Sequence, residues 1–392
     1  MPSLPPVFST PLTKLFGINH PVMLAGMNVA AGPKLAAAVT NAGDAESNSW
    51  CTSCLNHECV GGIGVIGGVY QSPKVLERSI NELKSHLEDK NAPFGVDLLI
   101  PQVGGNARKT NYDYTEGRLS ELTEVIIRNK AALFVCAVGV PPKEMVDRLH
   151  SAGIAVMNMV GHPKHVPKAL AQGVDIVCAQ GGEGGGHTGD TPFSILIPAC
   201  VDLCRNAKSP LTGQPVIVVA AGGIADGRGL AAALSYGAAG VWVGTRFVAS
   251  VEAGAPPRHK ELVVSAGYDD TVRTLVYSGR PMSVRKTPYV ADWESNRQQE
   301  IKELTSQGKI PHDIELETHP EKSLEGRMCK WQSSSVAQQV MLTVIDMLGL
   351  MGKVAGAINE IKPAKAIIDE LVTTAANSLT SATGFIIARS KL

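Results

Sequence analysis

The run Gln180-Gly181-Gly182-Glu183-Gly184-Gly185-Gly186-His187-Thr188-Gly189-Asp190 puts a glycine-rich backbone and a proton-transfer group in one loop. Five of the six residues after Gln180 are glycine, so main chain can approach a flat ligand that a Cβ would hold away. One imidazole then projects from the same loop. Histidine titrates near neutrality, so His187 is suited to take a proton from a carbon acid. Two further turns, Ala220-Ala221-Gly222-Gly223-Ile224 and Val243-Gly244-Thr245-Arg246, are small enough for backbone N–H groups to reach a phosphate. Two such turns point to a phosphate-bearing cofactor. At Ala25-Gly26-Met27 a small pair precedes a polarizable side chain that could lie under a flat ring, and a plain strand-to-loop turn is the other reading.

These residues need elements to carry them. Short apolar, β-branched runs recur at 21–25, 62–66, 94–100, 132–138, 154–160, 174–179, 215–220 and 240–244. Amphipathic stretches lie between them at 73–87, 119–129, 142–151, 163–172 and 227–236. Strands apolar on both faces suit a parallel sheet covered by helices. Eight strand-then-helix units predict an α/β fold, a (β/α)₈ TIM barrel, with a doubly wound open sheet as the alternative. The histidine loop then follows the sixth strand, and the two phosphate-type turns follow the seventh and eighth. All three fall at the strand ends where barrel proteins do their chemistry.

From about residue 261 the pattern changes to charged, proline-containing stretches and then a helical tail over 361–380. The expected organisation is a cofactor-binding barrel over 1–260, a helical cap after the eighth strand over 261–360, and a C-terminal helix and tail over 361–392. Segments 44–60 and 328–349 interrupt the rhythm and read as insertions.

Composition excludes several classes. Lys plus Arg equals Asp plus Glu, at 36 each, which leaves no net field to draw nucleic acid or an anionic membrane. No apolar run reaches the length of a membrane span. Cys136, Cys178, Cys200 and Cys204 sit in apolar runs as small hydrophobes and form no disulfide framework. Cys51, Cys54, His57 and Cys59 fall within nine residues, without the two-part spacing of ordinary zinc sites, so no metal is assigned. The chain ends Ser390-Lys391-Leu392, the tripeptide read by the peroxisomal import receptor, so peroxisomal import is expected and a cytoplasmic protein otherwise. His162 follows the fifth strand and is either a pocket or a surface residue, as is the Asn111-Tyr112-Asp113-Tyr114 loop after the third. His165, beside His162, has capping or surface exposure as its default, and Trp242 reads as packing.

The pieces Ala25-Gly26-Met27, Leu35-Ala36-Ala37-Ala38-Val39, Asn41-Ala42-Gly43, Gly61-Gly62-Ile63-Gly64, Gln180 to Gly189, Ala221-Gly222-Gly223 and Gly244-Thr245 resemble the nitronate monooxygenase (2-nitropropane dioxygenase) family of FMN barrels across most of the chain. The resemblance implies FMN held by Ala25, Gly26, Met27, Gln180, Gly185, Gly223, Gly244 and Thr245, with His187 facing substrate. It implies oxidation of an alkyl nitronate with O2 to a carbonyl compound and nitrite. Many members carry Asn where this chain has Asp97, which places an acceptor-only carboxylate near the flavin, and many carry Arg where this chain has Thr188. The alternatives are an NAD(P)H-dependent FMN reductase of quinones or enoyl thioesters, and a catalytically silent flavin-binding protein.

Overall fold

Eight parallel strands alternate with helices and curl into a barrel. The computed structural model describes residues 7–43, 60–319 and 349–386. Apart from their flanks Val60 and Gly349, the segments read as insertions lie outside the described residues, as do the Cys51–Cys59 group and the terminal tripeptide.

The barrel strands are β1 (Val22–Leu24), β2 (Gly64–Gly67), β3 (Phe94–Leu99), β4 (Leu133–Ala137), β5 (Ala155–Val160), β6 (Ile176–Gln180), β8 (Ile217–Ala221) and β9 (Gly240–Val243). Each pairs with its neighbour in the order β1-β9-β8-β6-β5-β4-β3-β2. The ring is drawn together between β1 and β2, where Leu24 N donates to Ile63 O at 3.0 Å and Ile63 N to Val22 O at 3.1 Å. The strands are buried along nearly their whole length, which accounts for their continuous apolar sequence.

The surrounding helices show one apolar stripe each, as their periodicity requires. Helix α3 (Pro73–His86) buries Leu76, Ile80 and Leu83, and α4 (Leu119–Arg128) buries Leu122, Val125 and Ile126. Side chains stop the fraying of orphan amides: Ser72 accepts from Val75 N at the start of α3, and Asp226 from Arg228 N at the start of α8 (Gly227–Ser235). The C-terminal helix, α14 (Ala364–Thr383), lies against α8 through Leu371 and Ala375.

After β9 the chain leaves the barrel. Helices α11 (Pro288–Asn296), α12 (Gln298–Ser306) and α13 (Pro311–Thr318) supply the helical cap; α11 and α12 share a second small core around Val276, Val290 and Trp293, and α13 is tied to it by His312 N donating to Val276 O. The cap also holds an antiparallel hairpin, β10 (Thr271–Thr274) with β11 (Met282–Arg285). Strand β7, only Gly186–His187, adds to that hairpin through the registers Met282↔His187 and Ser283↔Gly186. The cap is therefore sewn directly to the histidine loop. Among the described residues no helix is long and apolar enough to cross a membrane.

Candidate active site

A cavity of about 1430 Å3 opens at the C-terminal ends of the barrel strands, beneath the cap. Ala25, Gly26, Met27, Asp97, Gln180, Gly185, His187, Gly222, Gly223, Gly244 and Thr245 all line it. Residues separated by more than two hundred positions in the chain thus share one wall, because parallel strands bring their C-terminal ends together.

The floor is set by close packing. A Cβ on Gly26 would stand 2.4 Å from Asp97 Oδ2, so glycine is what lets β1 pass over the carboxyl of β3. Across the other edge, a Cβ on Gly244 would touch Ala25 Cβ and Met27 Sδ, both at 3.4 Å. Gly222 and Gly223 have φ of +88° and +75°, a left-handed pair that other residues adopt only with strain, and a Cβ on Gly222 would meet Gly181 O at 2.7 Å. This is a cradle of the kind a phosphate occupies at barrel strands seven and eight.

Three side-chain polar atoms beside the cavity have no hydrogen-bond partner among the described residues: Asp97 Oδ1, Asn28 Nδ2 and Asn158 Oδ1. A buried polar atom left unpaired is costly, so the group must be completed by a ligand or solvent. A flat ring with a hydrogen-bonding edge and a phosphate tail fits these residues. Burial drives the Asp97 pKa well above the ordinary carboxylate range, which favours the protonated form that can donate over the acceptor-only carboxylate.

The histidine loop is fixed from three sides. Gln180 Nε2 donates to Gly185 O at 3.3 Å and to His187 O at 3.1 Å, so the amide nitrogen serves the loop itself. Glu183 accepts from Phe193 N at the start of α7 (Phe193–Cys204). Gly352 is packed against the loop, where a Cβ would lie 2.3 Å from Glu183 O, and Gly352 N donates to Thr245 Oγ1 at 3.0 Å. Thr188 is likewise held, donating from N to Pro281 O and from Oγ1 to Gly181 O.

His187 Nε2 lies 3.1 Å from Ser278 Oγ, which also lies 3.2 Å from Arg280 O and so has a carbonyl to donate to. With the serine proton on that carbonyl, Nε2–H donates to Ser278 and the Nδ1 lone pair is left as the basic atom. Burial, and then the charge of Arg280, push the His187 pKa down to about 4. The imidazole is therefore neutral at pH 7 and ready to accept a proton.

Ser278, Arg280, Tyr70 and Tyr277 also line the cavity. No motif marked them, since the first two sit in a cap turn whose place is decided by tertiary pairing. The Asn111-to-Tyr114 loop does close on the cavity: Tyr70, Tyr112 and Tyr114 pack ring against ring, and the Tyr70 and Tyr112 hydroxyls are hydrogen-bonded. His162 and His165 line the cavity, and so does Trp242, which is otherwise buried in β9. One buried histidine–carboxylate pair is structural. His150 Nε2 sits 2.8 Å from Asp175 Oδ2, and Asp175 also accepts from Val156 N and Ser209 Oγ, at the opposite end of the barrel from the cavity. Among the described residues no group of three His, Cys, Asp or Glu is placed to hold a metal ion.

Comparison with known proteins agrees with this arrangement. The profile of the nitronate monooxygenase family matches residues 58–374. A Mycobacterium tuberculosis protein, (3aS,4S,5R,7aS)-5-hydroxy-7a-methyl-1-oxo-octahydro-1H-indene-4-carboxyl-CoA dehydrogenase, is 37% identical over 73% of this chain and 68% of its own length. A Staphylococcus saprophyticus protein bearing the name "Probable nitronate monooxygenase" is 30% identical over 70% of this chain and 77% of its own. The solved structure of FabK from Thermotoga maritima superposes with a TM-score of 0.70 at 28% identity, covering 97% of this chain and 100% of that one. The chain is an oxidoreductase and belongs to the nitronate monooxygenase family.

Proposed function

We propose that the protein is an FMN-dependent nitronate monooxygenase with His187 as its base. The observation that carries this reading is the meeting of His187, the left-handed Gly222-Gly223 turn and the unpartnered Asp97 in one cavity. Gly222, Gly223, Gly244 and Thr245 would hold the phosphate, and Ala25, Gly26, Met27, Asp97, Gln180 and Gly185 would surround the ring. When bound, FMN supplies one-electron and oxygen chemistry. The chain's own residues do the rest. His187 Nδ1 takes the α-proton of a neutral nitroalkane or lies against a nitronate already formed, and Ser278 fixes the ring that does so. Tyr70, Tyr112 and Tyr114, in the loops after β2 and β3, would cover the cavity mouth and limit water.

A second reading is favoured by size. The cavity, about 1430 Å3 before FMN takes its share, exceeds the roughly 300–1,000 Å3 of ordinary small-ligand pockets. Its lining includes Arg108, Lys164, Lys168 and Arg273 beside the acidic Asp190, Asp313 and Glu317, and the four cations could meet a phosphate-bearing handle. A bulky thioester of coenzyme A would use both, and so would a nicotinamide reductant. Anaerobic mixing with propionate 3-nitronate, NADPH or an acyl-CoA, followed by the flavin spectrum, separates the readings. Bleaching by the nitronate alone supports the monooxygenase; bleaching by NADPH, reversed by an enoyl thioester, replaces it with the reductase. Acid release of the chromophore should yield FMN without adenine, and a stoichiometric adenine signal would refute the cofactor assignment.

A further inference from the structure

Arg280 is a half-buried cation facing the cavity with no carboxylate within ion-pair distance among the described residues. Its guanidinium is held in place by neutral acceptors. Nη1 donates to Asn111 Oδ1 at 2.7 Å, in the loop after β3, and Nη2 donates to Val138 O at 2.9 Å, just past β4. Val138 pays in strain for presenting that carbonyl: its φ is +71°, which a β-branched side chain rarely accepts. The remaining N–H groups of the fork are uncommitted by these bonds.

The same short turn sets the base. Ser278 Oγ accepts from Arg280 N at 3.4 Å, and it is the partner of His187 Nε2. Positions 278 and 280 therefore hold imidazole and guanidinium as one unit. A lone cation without a counter-anion, locked beside a general base, is an arrangement for binding negative charge that forms on the substrate.

We propose that Arg280 is the anion-binding residue of this site, receiving the oxygens of a nitronate, or the enolate oxygen if the substrate is a thioester. It deepens the proposed function, resting on His187 acting on a carbon acid in this cavity. The charged or titratable groups that act on Arg280 are Tyr114 and Arg108, and Arg280 is the one that acts on His187. Deprotonation then creates its negative charge next to a fixed positive one. The bonds to Asn111 Oδ1 and Val138 O are what keep the guanidinium from turning away.

The test titrates acetate and nitrate into the purified holoprotein by calorimetry, with acetamide as the neutral control, and follows His187 by NMR. The parent should bind the anions saturably. Arg280→Gln should weaken that binding about ten- to a hundredfold, the range of a charge-assisted contact, and leave acetamide unchanged. Arg280→Lys should recover most of the loss. In the parent, saturating acetate should raise the His187 pKa, because bound negative charge offsets Arg280; this arm needs no variant to fold. Absence of saturable anion binding, equal loss for acetate and acetamide, or an unmoved His187 titration would overturn the proposal. Failure of nitronate turnover alone would refute the monooxygenase reading while the anion titration still decides on Arg280.

Discussion

Replacing His187 by Asn should separate two substrates that differ by a single proton. Asn keeps a polar group of similar reach but has no lone pair of comparable basicity. With the His187 pKa near 4, only about one ring in a thousand is protonated at pH 7, so the parent holds its base form almost completely. A positioned general base contributes about 10²–10⁴-fold, equivalent to roughly 3–5 kcal/mol in the barrier. Neutral nitroethane should lose that factor in His187→Asn. Ethylnitronate, ionised beforehand, should lose roughly tenfold or less, because its proton is already gone. Nitrite release from both substrates, normalised to bound flavin, is the assay. The parent's rate on nitroethane should stay level from alkaline pH down to about 5 and fall below it, as protonation removes the lone pair. Equal losses on the two substrates would refute the role of His187 as base, and an acid limb centred near 6.5 would refute its low pKa.

Three further outcomes follow from the same geometry. Gly26→Ala would push a methyl group to 2.4 Å from Asp97 Oδ2, so overpacking should cost about 1–3 kcal/mol and lower flavin content, read by thermal melting and absorbance. Asp97→Asn should retain flavin and flatten the pH dependence of stability. Because the folded carboxyl titrates above its unfolded value, its contribution is present at acid pH and lost as pH rises through the raised pKa; melts between pH 5 and 9 should show a slope in the parent that the variant lacks, and parallel curves would count against a neutral Asp97. Deleting residues 44–59 should leave a folded barrel, since the flanks already meet: Gly61 N donates to Thr40 O at 2.8 Å, and a Cβ on Gly61 would lie 2.5 Å from Gly43 N. An insoluble or flavin-free product would show that the segment does more than return to its starting point.

The barrel was legible because its strands are short, continuous apolar runs with turn signals on both sides. The third was expected at 94–100 and runs Phe94–Leu99; the second, expected at 62–66, begins later at Gly64 because Gly61 and Gly62 are tied to the preceding helix. The tail helix, expected over 361–380, starts after Pro363 at Ala364. What escaped was the hairpin and its third strand. Gly186–His187 has two residues and no alternation to read, and its partner Met282 is 95 positions away, so only tertiary pairing defines it. The site was legible where glycines crowd and illegible where one polar side chain acts alone. Asp97 was visible as a departure from related sequences, yet its protonation depends on burial. Ser278 and Arg280 had no spacing to announce them.

Because His187 is itself a strand residue of the cap sheet, the proposed proton-transfer group belongs to two bodies at once. The turns suited to phosphate, Gly222-Gly223 and Gly244-Thr245, follow barrel strands, and beyond the barrel Gly352 N donates to Thr245 Oγ1. A cap that peeled away would carry off Ser278 and Arg280 and release His187, while leaving those turns intact. Retention of the cofactor and readiness for chemistry are thus separable states of one chain. Amide exchange at Gly186 and His187 should keep pace with Met282 and Ser283 rather than with β6.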